Sequence, residues 1–152
     1  MTSTSVQGPI VAGVGAGGAG THAAQHAASL AQALGVPLVL VFGYDISQLG
    51  PRGGALEEQL QTIADEETEE VRAAIASAHP GLELSVELVR DRPVDSLLRA
   101  AEVFGAQMIV VGHGGAGPLR AALLGSTAYE TVHRGTVPVL VVPDPDDDPT
   151  GD

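Results

Sequence analysis

Short apolar runs alternate along this chain with longer segments in which apolar residues recur every three or four positions. The runs have the length of buried strands, and the periodic segments have the length of helices with one apolar face. This alternation predicts a single-domain, doubly wound α/β fold: a five-stranded parallel sheet in the order 3-2-1-4-5 with helices on both faces. The predicted strands cover residues 9–14, 36–42, 82–89, 108–111 and 137–142.

The predicted helices have recognisable ends. Thr21–Leu34 has a helical pattern, and Gly35, with a proline two residues later, is typical of a helix end. A longer helix is predicted over Leu56–Ala78, and Pro93 is a favourable first residue for the next one. Residues 82–89 alternate between apolar and polar, so this strand is predicted to lie half-exposed at an edge of the sheet.

Two glycine-rich loops follow the predicted first and fourth strands. The first runs from Gly15 to Gly20, and the second begins at Gly112. In the order 3-2-1-4-5 these two strands are neighbours, and ligands of such sheets bind at the carboxyl ends where the strand order reverses. Glycines let a ligand approach backbone N–H groups, and a helix start carries partial positive charge, so both loops are candidates for holding a phosphate.

The first loop contains G-x-G-x-x-G at Gly15, Gly17 and Gly20, the pattern of a dinucleotide fingerprint. That fingerprint also requires an acid about 20 residues further on. Asp45 comes 25 residues after Gly20, beyond the predicted second strand. Because the pattern arises easily in a chain with 20 glycines, we favour the interpretation that these residues make a tight strand-to-helix turn.

The second loop has a more specific spacing. Gly112 and Gly115 are followed, after nine residues, by Gly125 and Ser126. This matches the nucleotide signature G-x2-G-x9-G-(S/T) of the universal stress protein family, which the chain resembles over residues 9–143. The resemblance implies a Rossmann-like fold of the adenine nucleotide alpha hydrolase type. Residues 1–8 and 144–152 are predicted to be a disordered lead and an acidic disordered tail.

The resemblance also implies a function. ATP would bind with its phosphates on the four signature residues and Thr127, with AMP or ADP as alternative ligands and Mg²⁺ as a companion ion. The adenine would lie near Gly13 and Gly43, at the ends of the first two strands. Family members commonly form homodimers through the last strand, here Val137–Val142, and act as stress-responsive binding modules more often than as enzymes.

One position departs from the family pattern. Members that bind ATP usually carry Asp at the end of the first strand, whereas this chain has Gly15 there. An Asp at this point can accept hydrogen bonds from the nucleotide, so its absence removes a polar contact worth about 1 kcal/mol or more. Weaker affinity, relaxed base choice and a different phosphate ligand are all compatible with the change.

Several polar side chains have two interpretations. Ser126 either contacts a phosphate or caps the helix predicted after it. His113 either contacts a phosphate or is solvated, and Arg120 either neutralises a phosphate or is an ordinary exposed arginine. His22 and His26 have the four-residue spacing of a metal pair, but without a third ligand we interpret them as part of a polar helix face.

Composition narrows the function. The net charge is −12, with seven arginines and no lysine, which argues against binding to nucleic acid or to an anionic membrane. The lack of lysine excludes a P-loop, and the lack of cysteine excludes thiolate sites. No apolar run approaches the roughly 20 residues of a membrane-spanning helix. No secretory signal is recognisable, so a cytoplasmic protein is expected.

Together these observations favour a module that binds ATP or another adenine nucleotide and signals through ligand-dependent conformation or partner binding. The sequence identifies no catalytic residue and no metal ligand. Two alternatives stay open. One is a slow ATP hydrolase or phosphotransferase of the same fold, and the other is an interaction module that binds no nucleotide.

Overall fold

Five strands and four helices alternate along the chain in a computed structural model that describes residues 8–15, 20–43, 54–114 and 124–143. All strand pairs are parallel, and the strand order is β3-β2-β1-β4-β5. The predicted fold class is therefore confirmed. In chain order the elements are β1 (Ile10–Gly13), α1 (Thr21–Leu34), β2 (Leu38–Gly43), α2 (Gly54–Ala78), β3 (Leu84–Val89), α3 (Pro93–Phe104), β4 (Met108–Gly112), α4 (Ser126–Arg134) and β5 (Val139–Val142).

Two apolar layers enclose the sheet. Successive side chains of a strand point to opposite faces, so Ile10 and Ala12 enter one layer and Val11 enters the other. The first layer packs beneath α1 and α2, and the second packs beneath α3 and α4. Because β1, β2 and β4 are covered on both faces, their sequences are the continuous apolar runs from which the strands were predicted.

Helix α1 contacts the sheet through alanine. Its buried residues contact β1 and β4, and none of them has a side chain longer than a methyl group. Such a surface lets the helix backbone approach the sheet closely, because no side chain holds the two apart. The five residues are Ala23, Ala24, Ala27, Ala28 and Ala31.

Three strands begin two residues later than the sequence pattern predicted, at Leu38, Leu84 and Val139. A proline precedes the first and third of these strands, and proline has no N–H to donate to a strand ladder. The carbonyls of Pro37 and Pro138 still accept hydrogen bonds from neighbouring strands at 3.0 Å. The predicted boundaries were therefore wrong at these ends, although the strands themselves were identified.

Helix α2 and strand β3 form one side of the molecule. β3 pairs with β2 and ends the described sheet, and its residues are partly exposed, as its alternating sequence predicted. α2 is 25 residues long, but its buried positions begin only at Ala64. Among the described helices, none is long and apolar enough to cross a membrane.

The packing of α2 predicts that two chemically identical substitutions change the free energy of unfolding by different amounts. Ile75 is 1% exposed within the core, whereas Ile63, on the same helix, is 48% exposed. We expect Ile75→Ala to lower the free energy of unfolding by about 2–4 kcal/mol, since it removes buried methyl groups and leaves a cavity. Ile63→Ala should change it by less than about 1 kcal/mol.

Urea denaturation followed by circular dichroism measures both values. Equal losses in the two variants would contradict the described contact of α2 with the sheet.

Candidate functional site

A cleft opens at the carboxyl ends of β1, β2 and β4, where the strand order reverses. This is the position at which doubly wound sheets bind ligands. The cleft has a cavity volume of about 170 Å³. Its described lining is mostly glycine and aliphatic side chains, and Thr127 supplies the single polar side chain among them. The lining residues are Gly13, Val14, Gly15, Gly20, Val41, Gly43, Pro93, Leu97, Val111, Gly112, Gly114 and Thr127.

The two described ends of the second glycine loop are joined by backbone contacts. The N–H of His113 donates to the carbonyl of Val142 at 2.8 Å, which continues the pairing of β4 with β5. The N–H of Gly125 then donates to the carbonyl of His113 at 2.9 Å. Gly114 has φ +69°, and a Cβ there would lie 3.3 Å from the Cα of Gly125. This close approach brings the start of α4 to the end of β4.

Helices α1 and α4 both begin without a side-chain cap among the described residues. Their N-caps are Gly20 and Gly125, and neither helix has a side-chain cap hydrogen bond or an acid in its first turn. The first N–H groups of a helix lack partners within the helix and carry its partial positive charge. Gly20 and Thr127 line the cleft, so both helix starts border one space that is suited to an anion.

Two of the lining glycines lie in close contact with α3. A Cβ on Gly43 would lie 2.6 Å from Oγ of Ser96 and 3.0 Å from Cα of Pro93. A Cβ on Gly13 would lie 3.1 Å from a methyl group of Leu97. These two positions were predicted from the family resemblance as nucleotide contacts. The structure adds a separate reason for glycine at each, which is the close approach of α3 to the strand ends.

Gly112 differs from those two glycines. A Cβ there would have its nearest neighbour, the Cα of Gly20, at 3.5 Å, an ordinary contact distance. Its φ is not in the left-handed range either. The described fold therefore has room for a methyl group at Gly112. Because glycine lacks this methyl group, the backbone at Gly112 is open toward the cleft.

The structure brings most of the predicted site residues together. Gly13, Gly15, Gly43, Gly112 and Thr127 line the cleft. The predicted residues His113, Gly125 and Ser126 adjoin that lining, since they lie next to Gly112, Gly114 or Thr127 in sequence or through the contacts above. Gly115, Arg120 and Asp45 lie outside the described residues.

Ser126 does not cap helix α4. The helix begins at Ser126 itself, one residue earlier than predicted, and its N-cap is Gly125 in an extended conformation. The hydroxyl therefore makes no capping bond, and the side chain is exposed. Of the two interpretations of Ser126, the capping one is wrong.

Pro93 and Leu97 of α3 form one wall of the cleft, and this wall was not predicted from the sequence. The pattern correctly predicted a helix beginning at Pro93. It carried no signal that the first turn of this helix would reach the ends of β1 and β2, because that contact depends on how α3 packs on the sheet.

None of the described residues that line the cleft is charged or is a histidine. The rings of His22 and His26 are in edge-to-face contact, with centroids 4.7 Å apart. Within the described ranges, no cluster of three or more possible metal ligands occurs. Arg72 donates hydrogen bonds to Glu69 and thereby lowers the pKa of that carboxyl, but this pair lies on α2, outside the cleft lining.

The family model and the curated relatives that match this chain belong to one family. The model of the universal stress protein family matches residues 8–143. A universal stress protein of Mycolicibacterium smegmatis is 31% identical over 135 residues, which cover 88% of this chain and 45% of that protein. The chain thus spans less than half the length of this relative.

Solved structures of universal stress proteins share the fold. One is from Archaeoglobus fulgidus in complex with dAMP and superimposes with a TM-score of 0.68 at 23% identity. The superposition covers 91% of this chain and 99% of that protein's chain. Another, in complex with cAMP, has a TM-score of 0.64 at 25% identity, with coverages of 91% and 98%. The sequence signature, the sheet order and these matches together establish that the chain belongs to the universal stress protein family.

Proposed function

We propose that this chain is a binding module for an adenine nucleotide, which it holds in the cleft at the ends of β1, β2 and β4. The observation that carries the proposal is the pair of uncapped helix starts, at Gly20 and Gly125, that border one glycine-lined space. Phosphates would accept hydrogen bonds from the first N–H groups of α4 and from the backbone around Gly112.

The remainder of the nucleotide fits the apolar part of the cleft. The base would lie near Gly13 and Gly43, between Val41 and the α3 residues Pro93 and Leu97. Relatives solved with cAMP and dAMP support an adenine nucleotide as the ligand. ATP is the form that we propose, with AMP and ADP as weaker ligands.

The phosphate contacts would involve Gly112, His113, Gly115, Gly125, Ser126 and Thr127. Mg²⁺ would enter bound to the ATP phosphates, because no described lining residue carries a carboxylate. Gly15 would lie beside the base or the ribose without a hydrogen bond from its side chain. The proposed role is signalling in the cytoplasm through ligand-dependent conformation or partner binding, not turnover.

Gly112→Ala tests the proposed phosphate contact. The new methyl group has ordinary space in the fold but would occupy the approach of a ligand to the backbone. We expect the affinity for ATP, measured by isothermal titration calorimetry, to fall by about ten-fold or more, equivalent to about 1.4 kcal/mol. Gly81→Ala is the control, since a Cβ at Gly81 has no neighbour within 4 Å and the residue lies outside the cleft lining.

In the unmodified protein, ATP at 100 times its dissociation constant should stabilise the fold by about 2.7 kcal/mol. A protein that gains no stability from adenine nucleotides would contradict the proposal. Equal ATP affinity in Gly112→Ala and the unmodified protein would contradict the site. Chromatography of the recovered nucleotide separates binding from hydrolysis, because turnover would convert the ATP to ADP.

The proposal includes a homodimer that forms through β5. This strand ends the described sheet on the side opposite β3, so one of its edges is available for pairing. Leu140, within β5, is 40% exposed.

We expect Leu140→Asp to convert a dimer into a monomer in sedimentation velocity, because it places a charge in the interface. Leu34→Asp is the matched control, since Leu34 is 50% exposed and is the last residue of α1, outside β5. A dimer that survives Leu140→Asp, or a monomeric parent protein, would contradict this interface.

A further inference from the structure

Four charged residues form a network between the start of α3 and the body of α4. We call Arg92, Asp95, Glu130 and Arg134 the charge network. Nη2 of Arg92 lies 3.2 Å from Oε2 of Glu130, and Nη2 of Arg134 lies 2.9 Å from Oδ1 of Asp95. Two longer contacts complete it, Arg92 to Asp95 at 3.8 Å and Arg134 to Glu130 at 3.7 Å.

The network lies beside the cleft. Arg92 immediately precedes Pro93, which lines the cleft from α3. Glu130 follows Ser126 by four residues, so the two share one face of α4 about 6 Å apart along the helix axis. Arg92 therefore pairs with a residue that lies one helical turn beyond the uncapped start of α4.

The backbone of Arg92 is fixed, whereas its side chain is accessible. Its N–H donates to Oδ1 of Asp91 at 2.8 Å. Its carbonyl accepts hydrogen bonds from both the N–H and the hydroxyl of Ser96, each at 2.9 Å. Ser96 is buried beneath Gly43. The side chain of Arg92 is 54% exposed, so its tip can move while its base stays at the cleft wall.

Arg92 can leave the network without leaving an acid unpaired. Arg134 contacts both Asp95 and Glu130, and its contact with Asp95 is shorter than that of Arg92. Exposed ion pairs of this kind contribute little to stability, about 0–1 kcal/mol each. Movement of Arg92 toward another anion therefore meets little resistance.

We propose that Arg92 determines the preference of the cleft for the length of the phosphate tail. Its guanidinium exchanges Glu130 for the outer phosphates of a nucleotide whose first phosphate lies at the start of α4. A triphosphate reaches the guanidinium and a monophosphate does not, so Arg92 strengthens binding of ATP relative to AMP. This inference rests on the proposed nucleotide site and adds its specificity for the polyphosphate group.

Calorimetric titration with adenosine, AMP and ATP at one fixed ionic strength and Mg²⁺ concentration tests the proposal. We expect Arg92→Gln to lower ATP affinity by about ten-fold, the loss of a charge-assisted hydrogen bond, while AMP and adenosine change by less than about two-fold. Arg99→Gln is the matched control. Arg99 is an exposed arginine within α3, seven residues after Arg92 and about 10 Å further along the helix axis.

Two further variants separate a direct contact from a structural effect. Arg92→Lys keeps the charge and should retain most of the preference for ATP over AMP. Glu130→Gln releases Arg92 and should raise that preference, whereas Glu102→Gln, the same charge change at the far end of α3, should not.

The outcomes distinguish a failure of the nucleotide site from a failure of the role of Arg92. If the unmodified protein binds none of the three ligands, the nucleotide site itself is wrong. If it binds ATP, but Arg92→Gln and Arg99→Gln have the same ratio of ATP to AMP affinity, the role of Arg92 is wrong. Loss of adenosine binding in Arg92→Gln also overturns this role, because it indicates a distorted cleft.

Discussion

The candidate site depends on how closely backbone segments approach one another at the carboxyl ends of β1, β2 and β4. α3 meets the first two strands at Gly13 and Gly43, where a Cβ would make a tight contact with Leu97 or collide with Ser96. The start of α4 meets the end of β4 at Gly114, where the positive φ and the close approach of Gly125 both favour glycine. α1 starts at the same edge of the sheet, because its N-cap Gly20 lies close to the carbonyl of Gly13. The space between these three helix starts is the cleft.

The pattern of apolar residues was sufficient to predict the fold class and the strand order. The runs that became β1, β2 and β4 are apolar without interruption because both faces of these strands are covered. Strand ends were less predictable. Apolar residues before Leu38 and Val139 belong to the same runs, but a proline without a donor delays the ladder at both places.

The site was predictable where glycine spacing is local and unpredictable where it depends on packing. The interval between Gly112 and Gly125 is a property of the sequence, so the second loop could be identified from it. Pro93 and Leu97 contribute a wall only because α3 crosses the ends of β1 and β2. The charge network could not be predicted from the sequence either, since Arg92 and Glu130 are 38 residues apart and meet only in the folded chain.

The side chains of the cleft lining have a consequence for the thermodynamics of binding. Glycine, proline and valine lose little or no rotamer freedom when a surface is covered, and Leu97 is already fixed in the core. A ligand entering this cleft would therefore order few protein torsions, so the entropic cost of binding would fall mainly on the ligand. For the part of a ligand that touches only this lining, selectivity would then rest on backbone shape. A single exchange of glycine for alanine can thus alter which ligands fit without changing any polar group.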